Sequence, residues 1–199
     1  MRTFSLFFAI LFFVGFSIPT EKHSSWSIDV AHSSISFKVR HLGISNVRGE
    51  FLSYDARIEM DESDLSSLTV EATIETASVD TGNERRDGHL RSDDFFGAEE
   101  FPTMTFVSTG VPEVDGENFQ LEGDLTIRGV TKSIVLEGEF LGTAMMRDTE
   151  RAGFEATTTV NRKDFNLSWD QLTEAGGLIV GHEVEISLDL ELIKVEELD

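Results

Sequence analysis

The sequence predicts an all-β fold, and within that class an antiparallel β-barrel in preference to a two-layer sandwich. Apolar and polar residues alternate with period two along most of the chain, as in strands with one buried and one solvated face. Some of these segments are unusually long for strands, which suits the coiled strands of a barrel. Glycines at positions 123, 138 and 142 fall in register with the apolar residues, where they either relieve curvature or leave space inside.

The first element in chain order is an N-terminal export signal. Arg2 precedes an apolar run over residues 4–16, and Ser17 and Pro19 follow. Because a membrane helix needs about 20 apolar residues, we expect a secretory signal peptide over residues 1–17 and a periplasmic or secreted mature protein. An uncleaved anchor is the alternative, since the small residues match the usual cleavage pattern imperfectly.

Residues 24–195 are expected to form one domain. This part of the chain has no internal repeat, no low-complexity tract and no Pro- or Ser-rich linker. The chain also has no cysteine, which excludes disulfides and thiolate metal sites, so the core and the strand pairing must hold the fold together.

The predicted strands follow one another from residue 34 to residue 192. Their inward-facing apolar residues include Ile35, Phe37, Val39, Leu68, Val70, Ala72, Ile74, Met104, Phe106, Phe119, Leu121, Leu125, Ile127, Ile134, Leu136, Phe140, Phe154, Ala156, Val160, Val184, Ile186, Leu188, Leu190 and Leu192. The segment 47–60 changes apolar phase between Phe51 and Tyr54, which predicts a β-bulge near Ser53. The dipeptides Asp115-Gly116 and Arg128-Gly129 predict tight turns between strands.

Two segments break this pattern. In residues 81–96, Thr81 and Glu84 fit a capping box that opens a short helix. This segment is the most basic part of the chain, and its cations are Arg85, Arg86, His89 and Arg91. They could recognise the phosphate or carboxylate head of an amphiphile at a barrel mouth, or they could pair with the local acids Asp87, Asp93 and Asp94.

The second break, residues 161–177, carries Phe165, Leu167 and Trp169. These side chains are expected either to close one end of the barrel or to pack into its core.

The charge balance excludes nucleic acid as a partner. The chain has 16 Lys and Arg against 37 Asp and Glu, a net charge of −21, and it lacks the basic surface that phosphate backbones require. Acidic residues spaced along the predicted strands are expected on a solvated outer face: Glu71, Glu75, Glu137, Glu139, Glu185 and Asp189.

Several motifs together resemble the YceI-like, polyisoprenoid-binding family. In order they are 32–37 (HSSISF), 41–51 (HLGISNVRGEF), 80–83 (DTGN), 86–90 (RDGHL), 94–96 (DFF), 101–102 (FP), 123–132 (GDLTIRGVTK), 153–154 (GF) and 161–165 (NRKDF). The resemblance runs from Trp26 to about Leu192. One departure is Asn166, where the family usually has glycine, and this change could reshape the loop over the cavity.

The resemblance implies an extended, eight-stranded, lipocalin-like antiparallel barrel whose apolar tunnel takes a long isoprenoid or a related lipid. It further implies an exported, non-enzymatic role in transport, storage or protection of that lipid. From strand parity we expect ten residues along the lipid tail: Phe37, Val39, Phe51, Ile74, Phe106, Leu121, Ile127, Phe140, Phe154 and Val184. The head-group candidates are Arg86, His89 and Arg91, and no cofactor is expected besides the lipid.

Other functions have less support in the sequence. It contains no nucleophile elbow, no HExxH motif and no phosphate-binding glycine loop, so we predict no enzymatic activity. A metal site built from His32, His41 and His89 with Asp87 is one alternative. A barrel plugged by its own side chains and acting only as an interaction module is another. The expected partner is a hydrophobic small molecule, without stable membrane insertion, and homodimer formation is left open.

Overall fold

The computed structural model describes residues 23–174 and 176–195, so the predicted signal peptide lies outside the described residues. The strands are β1 (Ser24–Ile28), β2 (Ser34–His41), β3 (Ser45–Phe51), β4 (Tyr54–Asp61), β5 (Asp64–Glu75), β6 (Val79–Asp80), β7 (Thr103–Asp115), β8 (Asn118–Ile127), β9 (Val130–Met146), β10 (Thr149–Asn161) and β11 (Val180–Lys194). The helices are α1 (Glu84–Arg91) and three 3₁₀ turns, Val30–His32, Thr76–Ser78 and Arg162–Phe165.

These strands close into an antiparallel barrel. β1 and β2 both pair with β11, and on their other side β1 pairs with β4 while β2 pairs with β3. β1 and β2 together therefore form one interrupted barrel strand, and β3 and β4 together form another. β5, β7, β8, β9, β10 and β11 complete a ring of eight, which confirms the predicted fold class.

The predicted bulge near Ser53 is a short break between two strands. Leu52 and Ser53 separate β3 from β4. Leu52 N donates to Ser78 O at 3.2 Å, and Ser53 O accepts from Glu75 N at 2.9 Å. The chain therefore changes its apolar phase here while each of the two residues keeps a backbone hydrogen bond to a neighbouring segment.

The alternation of the sequence separates the two faces of the wall as predicted. The inward residues form one apolar core, which includes Trp26, Met60 and Leu192 at the point where β1 closes the ring. The six acidic residues expected on the outer face are all exposed. One face of each strand is thus apolar and the other is solvated.

Two of the three in-register glycines lie directly beneath phenylalanine rings. A Cβ added at Gly123 would lie 2.3 Å from Phe106 Cζ, and one added at Gly138 would lie 2.3 Å from Phe119 Cζ. These glycines therefore make room for rings on neighbouring strands. Gly142 instead has a φ of +98° beside the register shift between β9 and β10, where it bends the wall.

Helix α1 begins later than the capping box predicts. Its N-cap is Asn83, whose side-chain oxygen accepts from Arg86 N at 3.0 Å. Thr81 is not the cap, because its hydroxyl donates to the Asp87 carboxylate at 2.5 Å and accepts from Arg86 Nε at 2.7 Å. In the parts of the chain described above, no helix combines the length and the apolarity needed to cross a lipid bilayer.

The connections divide between the two ends of the barrel. The α1 end carries the turn at 42–44, the segment 76–102 with α1, the turn at 128–129 and the segment 162–179. The opposite end carries the three turns at 62–63, 116–117 and 147–148. Among the described connections between strands, the longer segments that could cover the interior therefore lie at the α1 end.

Candidate ligand-binding site

The barrel interior holds an apolar cavity of about 240 Å³. Side chains from the strands of the ring line it, and Leu90, Phe95, Phe96, Phe165 and Leu167 line it at the α1 end. An interior filled by its own side chains, as the plugged-barrel alternative requires, would leave no such space. The geometry is that of a site for an apolar ligand.

Two of the three polar residues in the cavity wall are bonded to the protein. Ser36, Thr158 and Arg162 are the polar residues among those that line it. Ser36 Oγ donates to Ser187 O at 3.2 Å, and Arg162 is fully bonded to the protein, as described below. A ligand inside the barrel would therefore meet apolar groups almost everywhere.

Nine of the ten residues predicted along the tail line this cavity: Phe37, Val39, Phe51, Ile74, Phe106, Leu121, Ile127, Phe154 and Val184. Phe140 does not line it. Its ring packs against that of Phe154, with centroids 4.9 Å apart, at the register shift between β9 and β10. Contact of these residues with a lipid tail stays a prediction.

Other lining residues were not in that list, although a signal for most of them was present. Ile186, Leu188 and Leu190 share the strand parity of Val184, and parity alone would have included them. Leu90 lies on α1, where the two-residue period does not apply. Phe95 and Phe96 follow the basic segment, and their residue type alone does not place them over the cavity.

The three head-group candidates are engaged in contacts within the protein. Arg86 donates from Nε and Nη2 to Thr81 Oγ1 and O, at 2.7 and 2.8 Å. Arg91 donates from Nε to Ala77 O at 2.9 Å and from Nη2 to Val79 O at 3.2 Å. These bonds fasten α1 to the chain before it, and the local acids expected as the arginines' partners are not involved.

His89, the third candidate, belongs to an aromatic cluster over the cavity. Its Nε2 lies 2.9 Å from Asp94 Oδ2, and its ring meets those of Phe95 and Trp169 edge-on at 5.0 and 5.3 Å. The cavity contacts Phe95, but it reaches none of the three head-group candidates. Their role towards a ligand head stays a prediction.

Arg162 organises the segment that closes the α1 end. Its side chain is 5% exposed, and its guanidinium uses all of its donors. Nε donates to Gly181 O, Nη1 to the carbonyls of Leu167 and Trp169, and Nη2 to Val180 O and Asp170 Oδ1, at 2.6–3.3 Å. A buried charge paired in this way holds residues 167–170 against the start of β11.

Asp170 connects this arrangement to a second cation. Lys163 Nζ donates to Asp170 Oδ2 at 2.5 Å. The hydrogen bonds from Lys163 and Arg162 lower the pKa of the Asp170 carboxyl to about 2, against the opposing effect of its partial desolvation. Asn166, the departure from the family pattern, has a φ of 61°, a left-handed conformation that asparagine tolerates well.

The structure does not bring the predicted metal ligands together. His32 precedes β2 and His41 ends it, and eight residues of strand at about 3.3 Å each separate them by roughly 25 Å. Within the described residues, Asp29, His32 and Glu191 have ligand atoms within 4.8 Å of one another. Arg151 bonds both carboxylates, which neutralises charge that a cation would need.

Comparisons with known proteins agree with the sequence motifs. A family model described as a YceI-like domain matches residues 26–192. A UPF0312 protein of Staphylococcus aureus (strain MSSA476) is 38% identical over 170 residues, which cover 84% of this chain and 96% of that protein. The YCEI protein of Campylobacter jejuni is 36% identical with a TM-score of 0.69, and the match covers 85% of this chain and 97% of that one.

A third solved structure is more distant. It is a polyisoprenoid-binding domain from Saccharophagus degradans, implicated in plant cell wall breakdown. It is 17% identical, with a TM-score of 0.65, and the match covers 86% of this chain and 99% of that one. At this identity the likeness shows a shared fold.

Proposed function

Since this chain belongs to the YceI-like family, we propose that it is a non-enzymatic protein that binds a long-chain isoprenoid-like lipid inside its barrel. The apolar cavity carries this proposal. Its wall is built mainly from inward-facing aliphatic and aromatic side chains, and its polar residues Ser36 and Arg162 are bonded to the protein. The Saccharophagus degradans domain, which is described as polyisoprenoid-binding, has the same fold.

The physical chemistry of such a ligand fits the cavity. Each methylene of an isoprenoid chain gains about 0.8 kcal/mol on leaving water, so an apolar tube captures a long chain without polar contacts. Selection would then come from the length and width of the tube. Because a signal peptide is predicted, we also propose that the protein transports or stores this lipid in the periplasm or outside the cell.

The direct experiment is to purify the mature protein from its native envelope without detergent and to extract it with organic solvent. Mass spectrometry of the extract should find one class of long-chain lipid in stoichiometric amount. Protein from the native source that contains no lipid, and that takes up none from isoprenoid dispersions, would refute the proposal.

A cavity-filling variant tests the location of the ligand. Ala72 lines the cavity and is half-buried, so the ring in Ala72→Phe would occupy the space of the tail. We expect lipid retention in native mass spectrometry to fall about tenfold while the melting temperature stays close to that of the wild type. Leu121→Glu, which buries a carboxylate in the wall, should also abolish retention, but it risks the fold.

The matched control is Ala144→Phe, because Ala144 is exposed on β9. This variant adds the same ring outside the barrel and should retain lipid as the wild type does. Equal retention by Ala72→Phe and the wild type would place the ligand somewhere other than the cavity.

A further inference from the structure

The turn between β2 and β3 presents apolar side chains to solvent at the α1 end. Leu42 is 42% exposed and Ile44 is 83% exposed. Leu42 N donates to Ile179 O, and Ile179 N donates to Gln171 O, each at 2.9 Å. These bonds place the segment with Leu172, which is 60% exposed, alongside the turn. Three large apolar side chains are therefore exposed in one region.

Turn formation does not account for leucine at position 42. Leu42 and Gly43 have φ of 53° and 74°, and Ile44 N donates to His41 O at 3.1 Å. Both central residues are thus left-handed, a conformation that favours Asn, Asp or Gly and is uncommon for leucine. The chain accepts backbone strain at this turn while the Leu42 side chain stays 42% exposed, which points to a role for that side chain.

The outer face of the same hairpin carries positive charge. Arg40 lies opposite Asn46, and Lys38 lies opposite Arg48. Lys38 forms an ion pair with Glu185, whereas no described residue forms a hydrogen bond or ion pair with the side chain of Arg40 or Arg48. Both arginines are exposed, so their charges are available to an anionic partner.

We propose that Arg40, Leu42, Ile44, Arg48 and Leu172, which we call the docking surface, bind the protein peripherally to an anionic lipid bilayer. Apolar side chains flanked by cations match the boundary between acyl chains and anionic head groups. The charge of −21 on the whole chain does not prevent this contact, because electrostatic repulsion is screened beyond about 8 Å at physiological ionic strength.

The position of the docking surface fits exchange of a lipid with the bilayer. Val39 lines the cavity two residues before the turn begins, and Val180, which also lines it, pairs with His41. The bilayer would therefore be bound next to the α1 end of the cavity. This inference goes beyond the proposed function, because binding to a membrane can be measured whether or not the cavity is loaded.

The test is flotation of the mature protein with phosphatidylcholine vesicles, with and without phosphatidylglycerol, at physiological ionic strength. The wild type should bind the anionic vesicles more tightly than the neutral ones. Leu42→Asn with Ile44→Ser, and separately Arg40→Gln with Arg48→Gln, should each weaken binding to anionic vesicles about tenfold. Since asparagine suits the left-handed position, the first variant should melt no lower than the wild type.

The control lies at the opposite end of the barrel, where Met145 and Met146 are 67% and 51% exposed beside a turn. Met145→Ser with Met146→Ser should bind vesicles as the wild type does. The proposal would be overturned if the wild-type protein did not bind anionic vesicles, or if the variants of the docking surface bound them as tightly as the wild type. Either result would point to a protein partner for this surface. Lipid retention, measured in parallel, should stay at the wild-type level, so failure of docking is distinguished from failure of lipid binding.

Discussion

At the scale of single residues, pairs of glycine and phenylalanine on neighbouring strands shape the barrel wall. Phe106 on β7 lies over Gly123 on β8, and Phe119 on β8 lies over Gly138 on β9. Each ring fills the space that a side chain at the glycine would otherwise occupy, and both rings line the cavity. The sequence predicted that these glycines lie on the apolar face, but it could not predict which rings lie above them, because the register between strands is a tertiary property.

We predict that Gly123→Ala lowers the free energy of unfolding by about 1–3 kcal/mol. Alanine in a strand usually gains from a less flexible unfolded chain. Here, however, the added Cβ would lie 2.3 Å from Phe106 Cζ and 2.8 Å from the carbonyl oxygen of Val107, so the clash decides the sign. Chemical denaturation measures the change.

Gly110→Ala is the control for that substitution. Gly110 lies on β7, paired with β8, and a Cβ there would meet nothing within 4 Å. It should change stability by no more than about 0.5 kcal/mol. Equal effects at the two positions would contradict the assignment of the cost at Gly123 to the clash with Phe106 and Val107.

At the scale of elements, segment 162–179 depends on one cluster of charges. Arg162 holds carbonyls of the segment, and Asp170 is held by both Arg162 and Lys163. The sequence singled out Phe165, Leu167 and Trp169 here, either to close one end of the barrel or to pack into its core, and Phe165 and Leu167 line the cavity. It gave no sign that Arg162 is buried, since a lone arginine is ordinarily exposed.

This cluster predicts how stability depends on pH. Lys163 and Arg162 lower the folded-state pKa of Asp170 to about 2, from an ordinary value of 3.8. The carboxylate therefore contributes stability that is fully present above about pH 4 and is lost as the pH falls towards 2. Asp170→Asn should be less stable than the wild type at pH 7, and the difference should shrink between pH 4 and pH 2.

Urea denaturation across this pH range measures that difference. Asp164→Asn is the matched control, because Asp164 is exposed on the 3₁₀ turn Arg162–Phe165 and no ion pair joins it to a described residue. It should leave stability at pH 7 unchanged. A constant gap between wild type and Asp170→Asn from pH 7 to pH 2 would contradict the assignment.

At the scale of the whole molecule, the chain has a net charge of −21, and its strands carry exposed acidic residues on the outer face of the barrel. Glu139 on β9 lies directly opposite Glu155 on β10, and both are exposed. Like charges in directly opposed positions destabilise a sheet. The acidic surface therefore costs the folded state some stability, although it favours solubility.

We predict that Glu139→Gln raises the free energy of unfolding by about 0.2–1 kcal/mol at low salt. The gain should disappear near 1 M NaCl, where the screening length falls to about 3 Å. Thermal or chemical denaturation at the two salt concentrations gives both values. Glu122→Gln is the control, because Glu122 lies opposite Val135 on β9 and Gly110 on β7 and should change little.

The sequence by itself determined the all-β class, the inward and outward faces of the strands, the short helix in residues 81–96 and most of the cavity wall. It could do so because alternation with period two is a local pattern, and the sequence of each strand alone indicates which of its faces is buried. The family motifs, spread along the chain, supplied the number of strands.

Only the tertiary structure decided how the ring closes through β1, which rings cover which glycines, and that the cavity remains open. It also decided that Arg86 and Arg91 bond to backbone carbonyls or a neighbouring hydroxyl and that Phe140 lies outside the cavity wall. These features depend on contacts between residues far apart in the chain, or on the packing of a particular turn, and residue type and spacing do not record them.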